Sequence, residues 1–399
     1  MLAAAILAPA AAQAVDNGLA RTPYMGWNTY YGLGIQYNES DIKSAADAMV
    51  SSGLAAAGYR YVWLDGGWWS GARDSNGNIS VDSRQWPDGM RAVADYIHDR
   101  GLLAGIYTDA GATGCGGAPK GSYGHYQQDV DQFADWGFDA VKVDFCGGNR
   151  MHLRPEKAYA AFRAAIDGNA SRRPMLFNIC NPFQSDQYGH NRPAYHQSAY
   201  ATYLFASRIA NSWRTDTDLG RPFQVTFNTV LRNLARDDAH PEAAGPGHWN
   251  DPDYLAPGLG MSDREARAQF TMWAVVAAPL MLGNDVRHMS AATRSTVTNP
   301  AAIAIDQDPL GVQGHRIATS RRGDVWVKPL ADGGRAVALL NRGPRTLRIS
   351  TTARAIGLPA ARRYTAQNVW SGWTGTTRWS IGATVRRHEA VLYRVSRSG

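Results

Sequence analysis

Ala140-Val141-Lys142-Val143-Asp144-Phe145-Cys146-Gly147-Gly148 is the stretch whose reading decides the fold. Its first residues alternate as a buried strand does, Asp144 falls where that strand ends, and the glycine pair predicts that the backbone turns away. Carboxylates at the C-terminal ends of parallel strands are where α/β barrels carry their chemistry. Lys142 stands two residues earlier, so on an extended segment it shares a face with Asp144. An ammonium there favours the ionised carboxylate, the form a nucleophile or electrostatic stabiliser needs. A lone strand-end Asp serves equally well as the N-cap of a following helix. The surrounding sequence has to decide.

Outward from this stretch the same unit recurs: strand, polar or aromatic end, helix, glycine. Strands are predicted at 22–28, 59–64, 102–107, 140–144, 174–180, 208–214, 245–250 and 278–282, with helices at 40–57, around 93–97, and at 127–136, 158–166 and 262–276. Alternation of this kind implies parallel strands joined by right-handed crossovers. The α/β reading is a (β/α)8 TIM barrel over 20–312, which holds the ~250 residues typical of one. Periodicity alone leaves an open doubly wound sheet standing, although no glycine-rich phosphate loop is found. Beyond residue 313 the helical pattern stops. A hairpin is predicted from 325–330 and 336–340 around Asp332-Gly333-Gly334, with further strands near 346–350 and 390–395. Residues 313–399 are therefore expected to form a C-terminal antiparallel β-sandwich domain.

Composition narrows the function. The net charge of +7 comes mainly from arginines scattered along the chain and denser after residue 314, without a basic block interleaved with aromatics, which argues against nucleic acid as a partner. No apolar run reaches the ~18 residues of a membrane span. Residues 1–14 run from Leu2-Ala3-Ala4-Ala5-Ile6-Leu7-Ala8 to Ala12-Gln13-Ala14, like the end of a secretory signal without its basic start, so a secreted protein is expected. The three cysteines allow at most one internal disulfide and show no metal-ligand spacing. His240 and His248 stand alone and are expected to be structural, so neither metal nor cofactor is implied.

The strand ends collect Trp27, Asp65, Tyr107, Asp109, Lys142, Asp144, Asn181, Arg214, Asp218, Asp251 and Asp253. In a barrel these face one bowl, with carboxylates, two cations and aromatic walls. Such a lining suits a carbohydrate, which offers apolar C–H patches and a rim of hydroxyls. No G-x-S-x-G elbow is present for a serine hydrolase. Hydrolysis of a glycosidic bond by two carboxylates is the reaction that remains: one ionised and attacking the anomeric carbon, one protonated and donating to the leaving oxygen. Asp144 beside Lys142 fits the first role.

Met25-Gly26-Trp27-Asn28, Gly105-Ile106-Tyr107-Thr108-Asp109, Lys142-Val143-Asp144-Phe145-Cys146, Trp249-Asn250-Asp251-Pro252-Asp253 and Asp306-Gln307-Asp308-Pro309-Leu310-Gly311, in this order, resemble motifs of the α-galactosidases of glycoside hydrolase family 27. The resemblance implies a retaining exo-glycosidase, on a barrel followed by a β domain, that releases terminal α-D-galactose. It implies Asp144 as nucleophile and Asp218, four residues after Arg214, as acid/base, leaving Asp216 to cap a helix or support the site from behind. Trp27 is then the aromatic at the base of the sugar site, Tyr107 a wall near the nucleophile, Lys142 a donor to the 3- and 4-hydroxyls, and Arg214 a contact of the 2-hydroxyl, with Asn181 and Asp253 also lining it. By the same resemblance Cys115 and Cys146 are a bridged pair, and Cys180, whose usual partner position is Ala210, is an unpaired buried thiol.

One departure stands out. Galactose-specific members follow the second strand with two adjacent Asp residues that hold the 4- and 6-hydroxyls, whereas this chain has Asp65 followed by Gly66. A lost charge-assisted hydrogen bond is worth ~1.5–3 kcal/mol, enough to shift selectivity about tenfold or more. The loop Asn181-Pro182-Phe183-Gln184 also lacks the usual Cys-Glu-Trp pattern. The alternatives are therefore an isomaltodextranase-like enzyme cutting α-1,6-glucosidic bonds, a β-L-arabinopyranosidase, or a sugar-binding protein without catalysis. Trp63, Trp68 and Trp69 flank the altered position, either as extra subsites or as rim packing.

Overall fold

The computed structural model describes residues 15–117, 119–180 and 202–398. Strands β1 (Met25–Asn28), β2 (Tyr61–Leu64), β3 (Leu103–Asp109), β4 (Ala140–Asp144), β5 (Leu176–Cys180) and β6 (Ser212–Arg214) are followed by a small hairpin, β7 (Gly220–Arg221) and β8 (Gln224–Val225), and then by β9 (Trp249–Asp251) and β10 (Leu280–Leu282). The hydrogen-bonded order β10-β1-β2-β3-β4-β5-β6-β9 is parallel throughout. The last seam closes just beyond β9, where Leu255 N–H donates to Met281 O and Gly283 N–H to Leu255 O, both at 2.7 Å. Closure removes the open-sheet alternative, and the fold is a TIM barrel.

The strands are short apolar runs because they are covered on both faces. Val62, Leu64, Ile106, Val141, Val143 and Ile179 have no accessible surface. The surrounding helices bury one stripe each. In Glu39–Ser51 the stripe is Ile42, Ala45, Ala46 and Met49, and the helix starts at Asn38, whose side chain accepts from Asp41 N–H while Asp41 accepts from Asn38 N–H. That helix stops well short of 57, and residues 52–58 form turns. Strands six and seven are shorter than their sequence pattern, because residues 208–211 leave the short helix Tyr203–Ala206 in a turn and 245–248 bend back on themselves. Of the helices of seven residues or more among the described residues, three were not expected: Phe227–Asp237, Ala291–Val297 and Pro300–Asp306. The first buries Phe227, Val230 and Leu234 on one face and is capped by Thr226, signals that the sequence carried; the other two are too short for a repeating apolar stripe, but each has a capping residue, Ser290 and Asn299 respectively.

The glycine pair after Asp144 does something other than turn the chain away. Cys146–Arg150 is a short helix, and its Gly147 backs onto the loop after β3 so closely that a Cβ there would lie 1.9 Å from Thr113 O. The loops after β3 and β4 are thereby locked together, and the Cys115–Cys146 disulfide fastens the same contact.

The C-terminal domain comprises β11 (His315–Thr319), β12 (Gly323–Pro329), β13 (Arg335–Asn341), β14 (Leu347–Thr352), β15 (Tyr364–Asn368), β16 (Thr374–Thr377), β17 (Ser380–Val385) and β18 (Ala390–Arg397). A six-stranded antiparallel sheet, β11-β12-β13-β18-β15-β16, packs on the two-stranded β14-β17 sheet. Strand alternation divides the side chains between two cores. Val325, Val327, Val337, Leu339, Tyr393 and Val395 fill the sandwich, while Trp326, Ala336, Ala338, Leu340 and Leu392 join the core of the barrel. The barrel side is the helix Asp263–Val276, buried almost all round. Trp370 Nε1 donates to its Thr271 Oγ1 at 3.0 Å, and Gly314 N–H to Val275 O at 3.0 Å.

Candidate active site

In a parallel sheet, residues in register share a face, and β3 and β4 align Tyr107 with Lys142 and Asp109 with Asp144. These four side chains therefore lie on one side of the sheet at its C-terminal end. Tyr107 donates its hydroxyl to Asp144 Oδ2 at 2.6 Å. Lys142 Nζ does not pair with Asp144; it donates to Asp65 Oδ2 at 2.7 Å. The same ammonium lies 5.4 Å from the ring centroids of Tyr107 and Tyr254 and 6.0 Å from that of Tyr30. Asp65 also accepts from Asn28 Nδ2 at 2.9 Å and from Gly66 N–H at 2.8 Å. Burial would raise its pKa, but the charge and hydrogen bond of Lys142 outweigh burial and hold Asp65 below the usual range.

Asp144 differs from the expectation that Lys142 would keep it ionised. Burial pushes its pKa up and the charge of Asp65 adds to this, while Lys142, Cys180 and Tyr107 pull it back only in part. Its Oδ2 accepts the Tyr107 hydrogen bond and lies 3.1 Å from Cys115 Sγ, a sulfur that has no proton to give because it is bonded to Cys146. Its Oδ1 is buried without a hydrogen-bond partner among the described residues. Asp218, half-buried on the loop after β6, has its pKa raised to about 7, first by loss of water and then by the neighbouring charge of Asp253, with Arg214 and Lys142 opposing and Asp144 adding to the rise. Among the described residues none donates a hydrogen bond to the Asp218 carboxyl. Its loop is nonetheless held: Arg232 Nη2 donates to Asp218 O at 2.8 Å, Asn233 Nδ2 to Thr217 O at 2.8 Å, and Arg232 Nε pairs with Asp216 at 3.2 Å. Asp216 thus faces the helix Phe227–Asp237 behind the loop.

Arg214 is buried against Tyr254, with its guanidinium carbon 4.6 Å from that ring centroid, and it pairs with Asp251 and Asp253. Its Nε has no hydrogen-bond partner among the described residues. Asp253, expected to touch substrate, is instead saturated by the protein. Oδ1 accepts from Arg214 and from Tyr254 N–H, and Oδ2 from the Tyr31 hydroxyl at 2.5 Å and Leu219 N–H at 2.7 Å. A carboxylate has about four acceptor sites, and all are used. It sits at φ 86°, a left-handed backbone that this set of bonds maintains. Its work is to aim Arg214 and anchor the residue next to Asp218.

Trp27 also departs from expectation. It has no accessible surface and donates its Nε1 to Asn284 O at 2.7 Å, so it cannot serve as the base of a pocket. The aromatic that is open to the carboxyls is Tyr30, three residues on, partly exposed and within the fields of Asp218, Asp65, Lys142 and Asp144 at once. Tyr254 completes the wall: its hydroxyl accepts from Asn28 Nδ2 at 3.0 Å, and Lys142 and Arg214 lie over its ring. Neither tyrosine was singled out from the sequence. The available signal was position, since each lies within three residues of a strand end. Trp63, Trp68 and Trp69 are buried and are packing, with Trp68 Nε1 donating to Tyr107 O at 2.9 Å.

Asp109 belongs to the loops. It accepts from Gly111, Gly147 and Gly148 N–H, and its pKa is pushed to about 7 by burial and by Asp144. Cys115 and Cys146 are bonded, and Cys180 is free and buried. Gly66 lies beside Tyr107 with ordinary backbone geometry, and a Cβ there would meet the tyrosine ring at 3.7 Å, a normal contact. Asn181 lies outside the described residues, as does residue stretch 1–14. The site therefore brings together one carboxyl with an uncommitted oxygen, a second carboxyl that holds its proton to near neutrality, and aromatic and cationic walls.

A family model described as "Alpha galactosidase A" matches residues 36–308, and one described as "Alpha galactosidase C-terminal beta sandwich domain" matches residues 321–395. The chain is 38% identical over 395 residues to an alpha-galactosidase A of Cellvibrio japonicus, covering 95% of this chain and 93% of that protein. It superposes on alpha-galactosidase I of Mortierella vinacea with a TM-score of 0.85 and 30% identity, covering 96% of this chain and 99% of that one. With the Saccharomyces cerevisiae α-galactosidase determined with raffinose the TM-score is 0.84 at 27% identity, over 96% and 99%.

Proposed function

The chain belongs to the α-galactosidase family, glycoside hydrolase family 27, and is a glycosidase of that type acting on carbohydrate; on that premise we propose that it releases terminal α-D-galactose by double displacement through Asp144 and Asp218. Asp144 attacks the anomeric carbon as the glycosidic C–O bond breaks, and Asp218 passes its proton to the departing oxygen. A galactosyl ester of Asp144 remains. Water then attacks the same carbon from the vacated side, Asp218 takes up the proton of that water, and the ester bond to Asp144 breaks. The two inversions restore the starting configuration. Only water is consumed, so the steps need no cofactor.

The observation that carries this reading is the pair of carboxyls: burial raises the pKa of both, Asp218 to about 7 with no hydrogen-bond donor to it among the described residues, whereas at Asp144 the donated Tyr107 hydroxyl and the charge of Lys142 oppose the rise. The test is the anomer formed first. Proton NMR during hydrolysis is expected to show α-galactose before mutarotation sets in; β-galactose appearing first would exclude the ester route. The reading includes export, which the Cys115–Cys146 disulfide supports.

A second reading keeps the mechanism and changes the sugar, toward an α-1,6-glucosidic or β-L-arabinopyranosidic substrate. It is favoured by Gly66, which leaves Asp65 without a carboxylate neighbour, and by the commitment of Asp65 to Lys142. The space beside Tyr107 accepts a side chain at this position. Gly66→Asp is therefore expected to raise kcat/KM for a nitrophenyl α-galactoside relative to the corresponding glucoside and arabinopyranoside by about tenfold. An unmoved ratio would show that residue 66 does not govern the choice.

A further inference from the structure

The hairpin that follows Asp218 departs from turn chemistry. Its strands pair as Gly220↔Val225 and Arg221↔Gln224, which leaves Pro222-Phe223 as the loop. Proline suits the first position of such a turn, and a second residue with positive φ is ordinarily Gly or Asn. Here it is Phe223, at φ 65°. A bulky side chain in this region is strained and persists only where its surroundings enforce it. Burial does not compensate, since Phe223 is 62% exposed.

The hairpin is also rigidly held. Phe223 N–H donates to Tyr31 O at 2.9 Å, Val225 N–H to Leu259 O at 2.8 Å, and Leu219 N–H to Asp253 at 2.7 Å. The ring edge comes within 3.9 Å of a Cβ placed on Gly34, so it lies over that residue, whose neighbour Ile35 is 59% exposed. Ile35 O in turn presses on Gly67, next to Gly66. Phe223 and Ile35 therefore make an apolar lip between the loop carrying Asp218 and the loop carrying Asp65. A strained, clamped and solvent-facing aromatic five residues along the chain from a catalytic acid is a surface kept for a ligand.

We infer that Phe223, with Ile35, is the platform for the leaving-group sugar, so that the enzyme favours a saccharide over a small leaving group. The inference rests on the galactosidase reading, because Asp218 protonates the oxygen that departs and the lip stands just beyond it on the same loop. The apolar C–H face of a pyranose would lie against the Phe223 ring, as sugars lie on aromatic side chains generally.

The test compares wild type with Phe223→Asn and Phe223→Gly, both of which suit the positive φ. Each is assayed with α-D-galactosyl fluoride, whose leaving group is too small to reach the lip, and with an α-1,6-galactosyl hexose. The ratio of kcat/KM for the disaccharide to that for the fluoride is expected to fall about tenfold in both variants, with a melting temperature at or above that of wild type because strain is relieved. Phe223→Tyr should keep the wild-type ratio. An unchanged ratio in Phe223→Asn and Phe223→Gly overturns the assignment while leaving the galactosidase reading intact. Wild-type inactivity on both substrates would instead remove that reading, and the platform with it.

Discussion

Asp144→Asn is expected to leave a folded protein whose turnover is lower by ~10⁴-fold or more. Asn has the shape of Asp and can still accept the Tyr107 hydroxyl through its oxygen, so the wall around it need not move. What it lacks is a carboxylate oxygen able to form the galactosyl ester. The buried Oδ1, which accepts no hydrogen bond among the described residues, is the atom that is lost. Cutting the side chain back further gives a sharper result. Asp144→Gly supplied with azide should regain turnover and yield β-galactosyl azide, because the azide enters on the face the carboxylate occupied. Wild-type turnover in Asp144→Asn, or an azide product of the other anomer, would take the nucleophile's role away from this residue.

Asp218→Ala should divide substrates by leaving group. A sugar alkoxide departs only with a proton, so activity on an oligosaccharide is expected to fall by ~10²–10⁴-fold, while galactosyl fluoride, which needs none, should still galactosylate Asp144. Azide added to this variant should give α-galactosyl azide, the opposite product from Asp144→Gly, since it now takes the place of water. The pH profile follows from the raised pKa. The acid works while protonated, so kcat/KM of the wild type on a poor leaving group should hold below about pH 7 and decline above it as Asp218 loses its proton. In Asp218→Ala that alkaline limb should be missing. Its persistence would mean that another group supplies the proton.

Much of this was legible in the chain. Strands buried on both faces write themselves as short apolar runs, and Asp65, Asp144 and Arg214 could be picked out at or just after their ends, with Tyr107 and Lys142 on the same faces two residues earlier; Asp218 was distinguished from Asp216 only by the family resemblance. What escaped had three-dimensional causes. Trp27 looks as available as Tyr30 on paper, but only the fold shows the first turned into the core and the second facing the carboxyls. Asp253 carries a charge at a strand end like any other, yet Tyr31, Arg214, Leu219 and Tyr254 consume it. Lys142 is two residues from Asp144 along one face, and still its ammonium reaches across to Asp65. The helices Ala291–Val297 and Pro300–Asp306 are too brief to show a period.

The position of β18 has a consequence for how the molecule is made. The last strand of the chain lies not at an edge but between β13 and β15, in the middle of the six-stranded sheet. Until residues 390–397 leave the ribosome, that sheet is split in two, and the barrel helix beneath it waits with its apolar face in water. A nascent chain can therefore pair β11 with β12 and β13, and β15 with β16, but cannot join the two halves early, and a frameshift ahead of residue 390 removes the centre plank of the sheet.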